Sequence, residues 1–206
     1  IEAIEVANQW PQETYSAVNR SEDLSPFDKA SEAFIRDLGT HIAQNRNNSM
    51  LYEFLKQRLG PSEFESALEM ARSAFQAVPR HLFAPRFLGA EAYQDSGLQI
   101  GYAQTISQPS LMAAILMALD IRKEDKVLEV GAGGGWFTAL MSRLAGEVYA
   151  TERIAPLTRR AAQNIQKMGI TNAQVIQASS ELGYSAAAPY DAIVVSAGLQ
   201  TAEVPQ

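Results

Sequence analysis

The stretch Val127-Leu128-Glu129-Val130-Gly131-Ala132-Gly133-Gly134-Gly135-Trp136 decides the fold. A short apolar run ends in a glycine-dense turn, and a helical pattern from Phe137 to Leu144 follows at once. A second apolar run, Val148-Tyr149-Ala150-Thr151, closes on Glu152. Strand, glycine loop, helix, strand and acid in that order make the front half of a nucleotide-binding βαβ unit. Glycines let the backbone turn tightly and approach a ligand that a Cβ would hold off. The helix behind them supplies free N–H groups and a positive dipole end.

The details select the ligand. A dinucleotide fingerprint needs a third glycine where Trp136 stands. The pattern is instead E-x-G-x-G-x-G, with Glu129 two residues before Gly131. That suits a ligand without a pyrophosphate. S-adenosylmethionine (SAM), with its positive ammonium and sulfonium, fits an acid at Glu129. Glu152, at the tip of the second strand, is placed to accept hydrogen bonds from two ribose hydroxyls. The competing reading is a tight strand-to-helix connection with no ligand.

From Lys126 onward helices alternate with strands: strand 127–130, helix 136–144, strand 147–151, helix 155–168 ended by Gly169, strand 173–177 and strand 191–196. The expected fold class is α/β, a doubly wound, Rossmann-like parallel sheet. Ligands of such sheets bind at the carboxyl ends of the strands. Gly131, Glu152, Ser179 and Ser196 all fall at such ends, so one cleft is expected to collect them.

The preceding half reads as helical. Ser25-Pro26 fits an N-cap and first-turn proline. Phe27, Ala30, Ala33, Phe34, Leu38 and Ile42 recur at helical spacing, and Asn45-Arg46-Asn47-Asn48 stops them. A second helix runs from Met50 to Leu59 and ends at Gly60-Pro61. Ser62 is expected to cap a third, with Glu65 completing a capping box. Phe64, Leu68, Ala71, Phe75 and Val78 line that helix before Pro79. Residues 79–109 read as irregular, and long irregular segments usually carry function. Thr105, Ser107 and Gln108 stand just before a helix over Ser110–Leu119. They either cap it or aim their donors at an anion. His81, beside Leu82 and Phe83, reads as a structural histidine.

Composition narrows the partners. The 206 residues carry a formal charge of −6, which gives no basic field for nucleic acid or an anionic membrane. There is no cysteine, which excludes disulfides, thiolate nucleophiles and cysteine metal sites. No His, Asp and Glu spacing matches a metal site, so none is expected. No apolar stretch reaches membrane-span length, and a cytoplasmic protein is expected.

Several blocks resemble the protein-L-isoaspartate (D-aspartate) O-methyltransferase family. Val78–Pro85 is similar to its VPRHLFVP, and Ile100–Pro109 to its IGxGQTISQP. Val127–Trp136 is similar to VLEIGTGSGY, Tyr149–Arg153 to Y-x-x-E-R, and Pro189–Ala197 to PYDAIIVTAA. The resemblance covers roughly residues 62–206. It implies a SAM-dependent methyltransferase domain over 62–206, preceded by an N-terminal helical extension, 1–61. It implies methyl transfer from SAM to the α-carboxylate of isoaspartyl residues in damaged peptides and proteins, leaving S-adenosylhomocysteine. Ser107 would orient the carboxylate with Thr105 and nearby backbone N–H groups. Glu152, in the segment shared with Arg153, would hold the ribose, and Gly131, Gly133 and Gly135 would admit the methionine part.

Departures accompany the resemblance. Ser179 and Ser180 replace the family's Asp-Gly, which implies weaker adenine contact. Ala103 replaces a usual glycine, and Gly97 and Gln99 replace prolines. Only about four strands can be counted where such a sheet has seven, so C-terminal strands are expected to be missing and the strand near 191–196 to show an apolar edge. The alternatives are a same-fold enzyme acting on an aspartate of a dedicated peptide or protein, and a non-catalytic module binding SAM or a partner.

Overall fold

A computed structural model describes residues 25–45, 49–85, 88–179 and 183–198. They form two compact units, divided after Asp120.

In the first unit, α1 (Ser25–Arg36) and α2 (Leu38–Gln44) carry the expected apolar stripe, with Phe34, Leu38 and Ile42 buried. A longer helix, α3 (Ser49–Ala77), is interrupted at Gly60, whose φ of 67° and ψ of 170° are not helical. Pro61 opens the part that follows, because its fixed φ suits a first turn and its missing N–H is not needed there. The break therefore falls where the sequence suggests. The cap does not: Ser62 lies inside the helix and Gly60 is the non-helical residue before it. Leu68, Ala71, Phe75 and Val78 are buried along the inner face.

The segment read as irregular contains more order than expected. Two 3₁₀ turns, Arg80–Phe83 and Ala90–Tyr93, precede an antiparallel hairpin of β1 (Leu98–Gly101) and β2 (Gln104–Ile106). Its two-residue loop is Tyr102-Ala103, with φ of 56° and 54°. Positive φ at both central residues matches the right-handed twist of paired strands. Leu98, Ile100 and Ile106 bury one face of the hairpin. Next comes α4 (Pro109–Leu119), apolar over most of its surface.

The second unit is a parallel sheet of β3 (Lys126–Val130), β4 (Glu147–Glu152), β5 (Ala173–Gln177) and β6 (Ala192–Val195), in the order β5-β4-β3-β6. Helices α5 (Trp136–Ser142) and α6 (Ala155–Lys167) pack on β4 and β5. The order reverses between β3 and β6, which is the doubly wound topology and the place where ligands enter. Val127, Val148, Ala150, Leu140, Leu157 and Ala161 fill the core between sheet and helices. Among the described residues β6 pairs only with β3, and Ile193 on it is 58% exposed.

Candidate functional site

The sheet register gathers the expected cofactor residues. Val130 pairs with Thr151 and Val195, and Glu152 with Gln177. Gly131, Glu152 and Ser196 therefore stand at the ends of adjacent strands, with Ser179 two residues past β5. Ser179 and Arg153 are exposed. Ser180 lies outside the described residues.

Hydrogen bonds fold the glycine loop back on β4. The N–H groups of Gly131 and Ala132 donate to the Thr151 carbonyl at 2.8 and 3.0 Å. Gly133 N–H donates to Glu152 Oε2 at 2.8 Å, and Ile154 N–H to Glu152 Oε1 at 2.8 Å. The carboxylate expected to hold a ribose thus also fastens the loop. Each carboxylate oxygen retains a further lone pair for a ligand hydroxyl. Thr158, one turn into α6, donates its hydroxyl to the Glu152 carbonyl at 3.1 Å. From the same helix Asn164 Nδ2 donates to the Gly134 carbonyl at 2.9 Å. Sequence reasoning missed both, since a polar residue on an exposed-looking helix gives no sign of its partner.

Two of the loop glycines meet protein closely. A Cβ on Gly131, whose φ is 98°, would stand 2.8 Å from the Ala197 Cβ. A Cβ on Gly135, φ 87°, would stand 3.1 Å from Ala161 Cα of α6. At these positions glycine is required by the loop's handedness and by close packing. At Gly135 the neighbour is α6.

Glu129 is 1% exposed. The Thr138 hydroxyl of α5 donates to its Oε2. Burial pushes the carboxyl up to about 7, against the opposing pull of the Thr138 hydrogen bond. Charge on this residue is thus costly. A cationic ligand group would favour the ionised form.

In the first unit, Ser107 follows β2 and Thr105 is exposed on it. Of the two roles weighed for them, capping belongs to another residue. Asp95 Oδ1 accepts the Ser110 N–H at 2.9 Å, and Asp95 Oδ2 accepts Gln108 Nε2 at 2.9 Å. Gln108 is the N-cap by position but makes no side-chain cap bond. The α4 start is held by an acid from 15 residues upstream, which leaves the Ser107 and Thr105 hydroxyls outside the capping. Asn45, at the end of α2, also donates to Asp95 Oδ2, at 3.3 Å.

Arg80 carries a dense network of side-chain hydrogen bonds and was given no role from the sequence. It is 2% exposed, and its guanidinium reaches the carbonyls of Ala92, Ser96, Ile106 and Ser107. Its neighbour His81 lies 2.7 Å by Nδ1 from the Tyr93 hydroxyl, and the Phe27 ring of α1 stacks on it. Burial lowers the His81 pKa, opposed by Asp28. Among the described residues no group of three or more His, Asp or Glu could hold a metal ion.

The family model for protein-L-isoaspartate (D-aspartate) O-methyltransferase matches residues 46–206. A protein-L-isoaspartate O-methyltransferase of Methanoculleus marisnigri is 43% identical over 138 residues, 67% of this chain and 62% of that protein. One of Rhodopseudomonas palustris is 46% identical over 126 residues, 61% of this chain and 51% of that protein. The chain thus spans between half and two thirds of the length of these curated relatives. A solved protein-L-isoaspartate O-methyltransferase superposes with a TM-score of 0.57 at 27% identity, over 72% of this chain and 47% of that one. A Plasmodium falciparum structure described as a protein-L-isoaspartate O-methyltransferase in complex with S-adenosyl-L-homocysteine shares the fold, with a TM-score of 0.55 at 21% identity, over 76% of this chain and 75% of that one. A family match over residues 46–206 takes in both the Ile100–Pro109 segment and the glycine loop, and the chain belongs to the protein-L-isoaspartate (D-aspartate) O-methyltransferase family.

Proposed function

We propose that the chain transfers a methyl group from SAM to the α-carboxylate of isoaspartyl residues in peptides and proteins. The observation that carries this reading is the glycine loop tied by Gly133 to the Glu152 carboxylate at the reversal point of the sheet. It supports a binding place for a ligand with a ribose and positive charge. Gly131, Gly133, Gly135 and Glu129 line the methionine end in this reading. Glu152 and Arg153 serve the ribose in this reading, and Ser179 and Ser196 the adenine side; Ser180, assigned to the cofactor with them, lies outside the described residues.

The chemistry needs little from the protein beyond alignment. A carboxylate oxygen attacks the methyl carbon, the carbon–sulfur bond breaks, and its electron pair stays on sulfur. Carboxylate and sulfonium become a neutral ester and a neutral thioether, S-adenosylhomocysteine. No proton moves, because the carboxylate is already ionised at neutral pH. A chain with two histidines and no cysteine is sufficient for that. Oxygen, carbon and sulfur must be held in line, and Ser107 with Thr105 holds the carboxylate in this proposal.

The division into a helical extension, 1–61, and a methyltransferase part, 62–206, belongs to the same reading. So does a cytoplasmic location with protein substrates. Among the described residues no helix is long and apolar enough to cross a membrane.

Labelled methyl transfer to an isoaspartyl peptide and its normal aspartyl twin tests the proposal. Transfer to the isoaspartyl form alone is expected. Transfer to neither, with S-adenosylhomocysteine still bound, would point to a dedicated substrate or a non-catalytic role.

A further inference from the structure

From the Arg80 guanidinium, hydrogen bonds run to the main-chain carbonyls of Ala92, Gln94, Ser96, Ile106 and Ser107. Nη1 donates to Ala92 at 2.7 Å and Gln94 at 3.5 Å. Nη2 donates to Ser96 at 2.9 Å, Ser107 at 3.1 Å and Ile106 at 3.4 Å. Burial lowers the Arg80 pKa to about 10 while Asp95 and Tyr93 oppose the shift, so the group is a cation at neutral pH. A buried cation is tolerated only when its donors are matched. Here carbonyl dipoles from both sides of the β1–β2 hairpin match the Nη1 and Nη2 donors.

The consequence lies in the peptide planes. The Ser107–Gln108 bond is trans, since the described residues contain a cis bond only at Ala188-Pro189. In a planar trans peptide the N–H points opposite the carbonyl. With the Ser107 carbonyl turned onto Arg80, the Gln108 N–H is turned to the far side. Gln108 Nε2 is engaged by Asp95 and Ser110 at 2.9 and 3.1 Å, so its side chain is anchored too.

We propose that Arg80 is the positioning residue of the substrate-binding turn: by holding the Ile106 and Ser107 carbonyls it presents the Gln108 N–H, beside the Ser107 hydroxyl, as a donor pair for the isoaspartyl carboxylate. This rests on the reading of Ser107 given above. Arg80 itself touches no substrate. Lysine does not replace it, because one ammonium cannot span five carbonyls that a planar fork reaches together.

Two measurements on the full chain decide the matter. In the wild-type protein with S-adenosylhomocysteine bound, adding an isoaspartyl peptide shifts the Gln108 amide proton downfield. A Gln108 amide that stays put while the peptide saturates overturns the proposal. In Arg80→Lys, the peptide KM rises roughly tenfold or more, while S-adenosylhomocysteine affinity stays within about twofold of wild type. Unchanged peptide KM in a folded variant overturns it. So does a parallel loss of peptide and S-adenosylhomocysteine binding, which would make Arg80 a support of the fold alone. If the wild type binds no isoaspartyl peptide, the functional reading fails and the donor pair fails with it. The clamp is then judged on the free protein: Arg80→Lys accelerates amide exchange at Ser110, whose N–H is bonded to Asp95, by about tenfold if Arg80 fixes the turn, and leaves it unchanged otherwise.

Discussion

Gly133 donates its backbone N–H to Glu152 at 2.8 Å, so the turn after β3 and the tip of β4 share one carboxylate. The other oxygen takes the Ile154 N–H at the start of α6. Glu152→Gln keeps one acceptor and replaces the other by a donor that faces an N–H. The expected result is a loss of about 1–3 kcal/mol in stability and a fall of tenfold or more in S-adenosylhomocysteine affinity, by roughly the strength of one charge-assisted bond. Calorimetric titration beside a denaturant melt checks both. Unaltered affinity would remove Glu152 from the ligand site.

Ser107 tests the other half of the reaction. It lies outside the capping of α4, which Asp95 supplies. Ser107→Ala is therefore expected to leave the fold and S-adenosylhomocysteine affinity nearly unchanged. Methyl transfer should fall by up to about a hundredfold, the cost of misaligning a reacting group. Equal losses in turnover and cofactor affinity would contradict the assignment.

Glu129 makes a prediction about pH. Its folded pKa, about 7, lies above the ordinary value of 4.5 because the side chain is buried. The native state therefore binds more protons than the unfolded chain between those values. Stability falls as pH rises through that window and levels off above it. The full cost above pH 7 is about 3 kcal/mol by the usual conversion. Glu129→Gln should flatten this slope, keeping an acceptor for the Thr138 hydroxyl. Urea unfolding of both proteins from pH 5 to pH 8 reads it directly, and parallel curves would refute it.

The sheet was readable because its signals are local. An apolar run, a glycine-dense turn and a helical period sit side by side in Val127–Leu144, and β5 appears at 173–177 as expected. The site was readable only in its residue types. Arg80 sits between proline and histidine in a segment that reads as irregular, yet it is buried because five carbonyls converge on it. Asp95 caps a helix that begins 14 residues later, at Pro109. No local pattern carries a partner chosen by tertiary structure. The hairpin was hidden for a different reason: its turn, Tyr102-Ala103, lacks the Asn-Gly or Asp-Gly signal that such turns usually show.

Asp95 holds four groups together: the Ser110 N–H, Gln108 Nε2, Asn45 Nδ2 and, through its charge, Arg80. Asp95→Ala removes the cap of α4 and the acid that offsets a buried cation. The cost should exceed that of an ordinary N-cap, about 1 kcal/mol, and reach about 2–3 kcal/mol once the charged partners are counted. Asp95→Asn keeps one acceptor and should fall between wild type and alanine. A destabilisation no larger than that of an exposed aspartate elsewhere, such as Asp37, would show that the network contributes little.

Ala103 offers the opposite outcome, a substitution that stabilises. Its φ of 54° lies in the left-handed region, where a Cβ crowds the following carbonyl. The strain is about 1–2 kcal/mol for an L-residue. Glycine removes it but adds freedom to the unfolded chain, a cost of about 0.4–1 kcal/mol. Ala103 is exposed, so little packing is lost with its methyl. Ala103→Gly should therefore gain up to about 1 kcal/mol, whereas Gly101→Ala, at φ 86° in the same turn, should lose at least as much. Thermal melts of the two variants beside wild type give the sign of each. A destabilised Ala103→Gly would mean that the turn in solution is not the two-residue turn with both central φ angles positive.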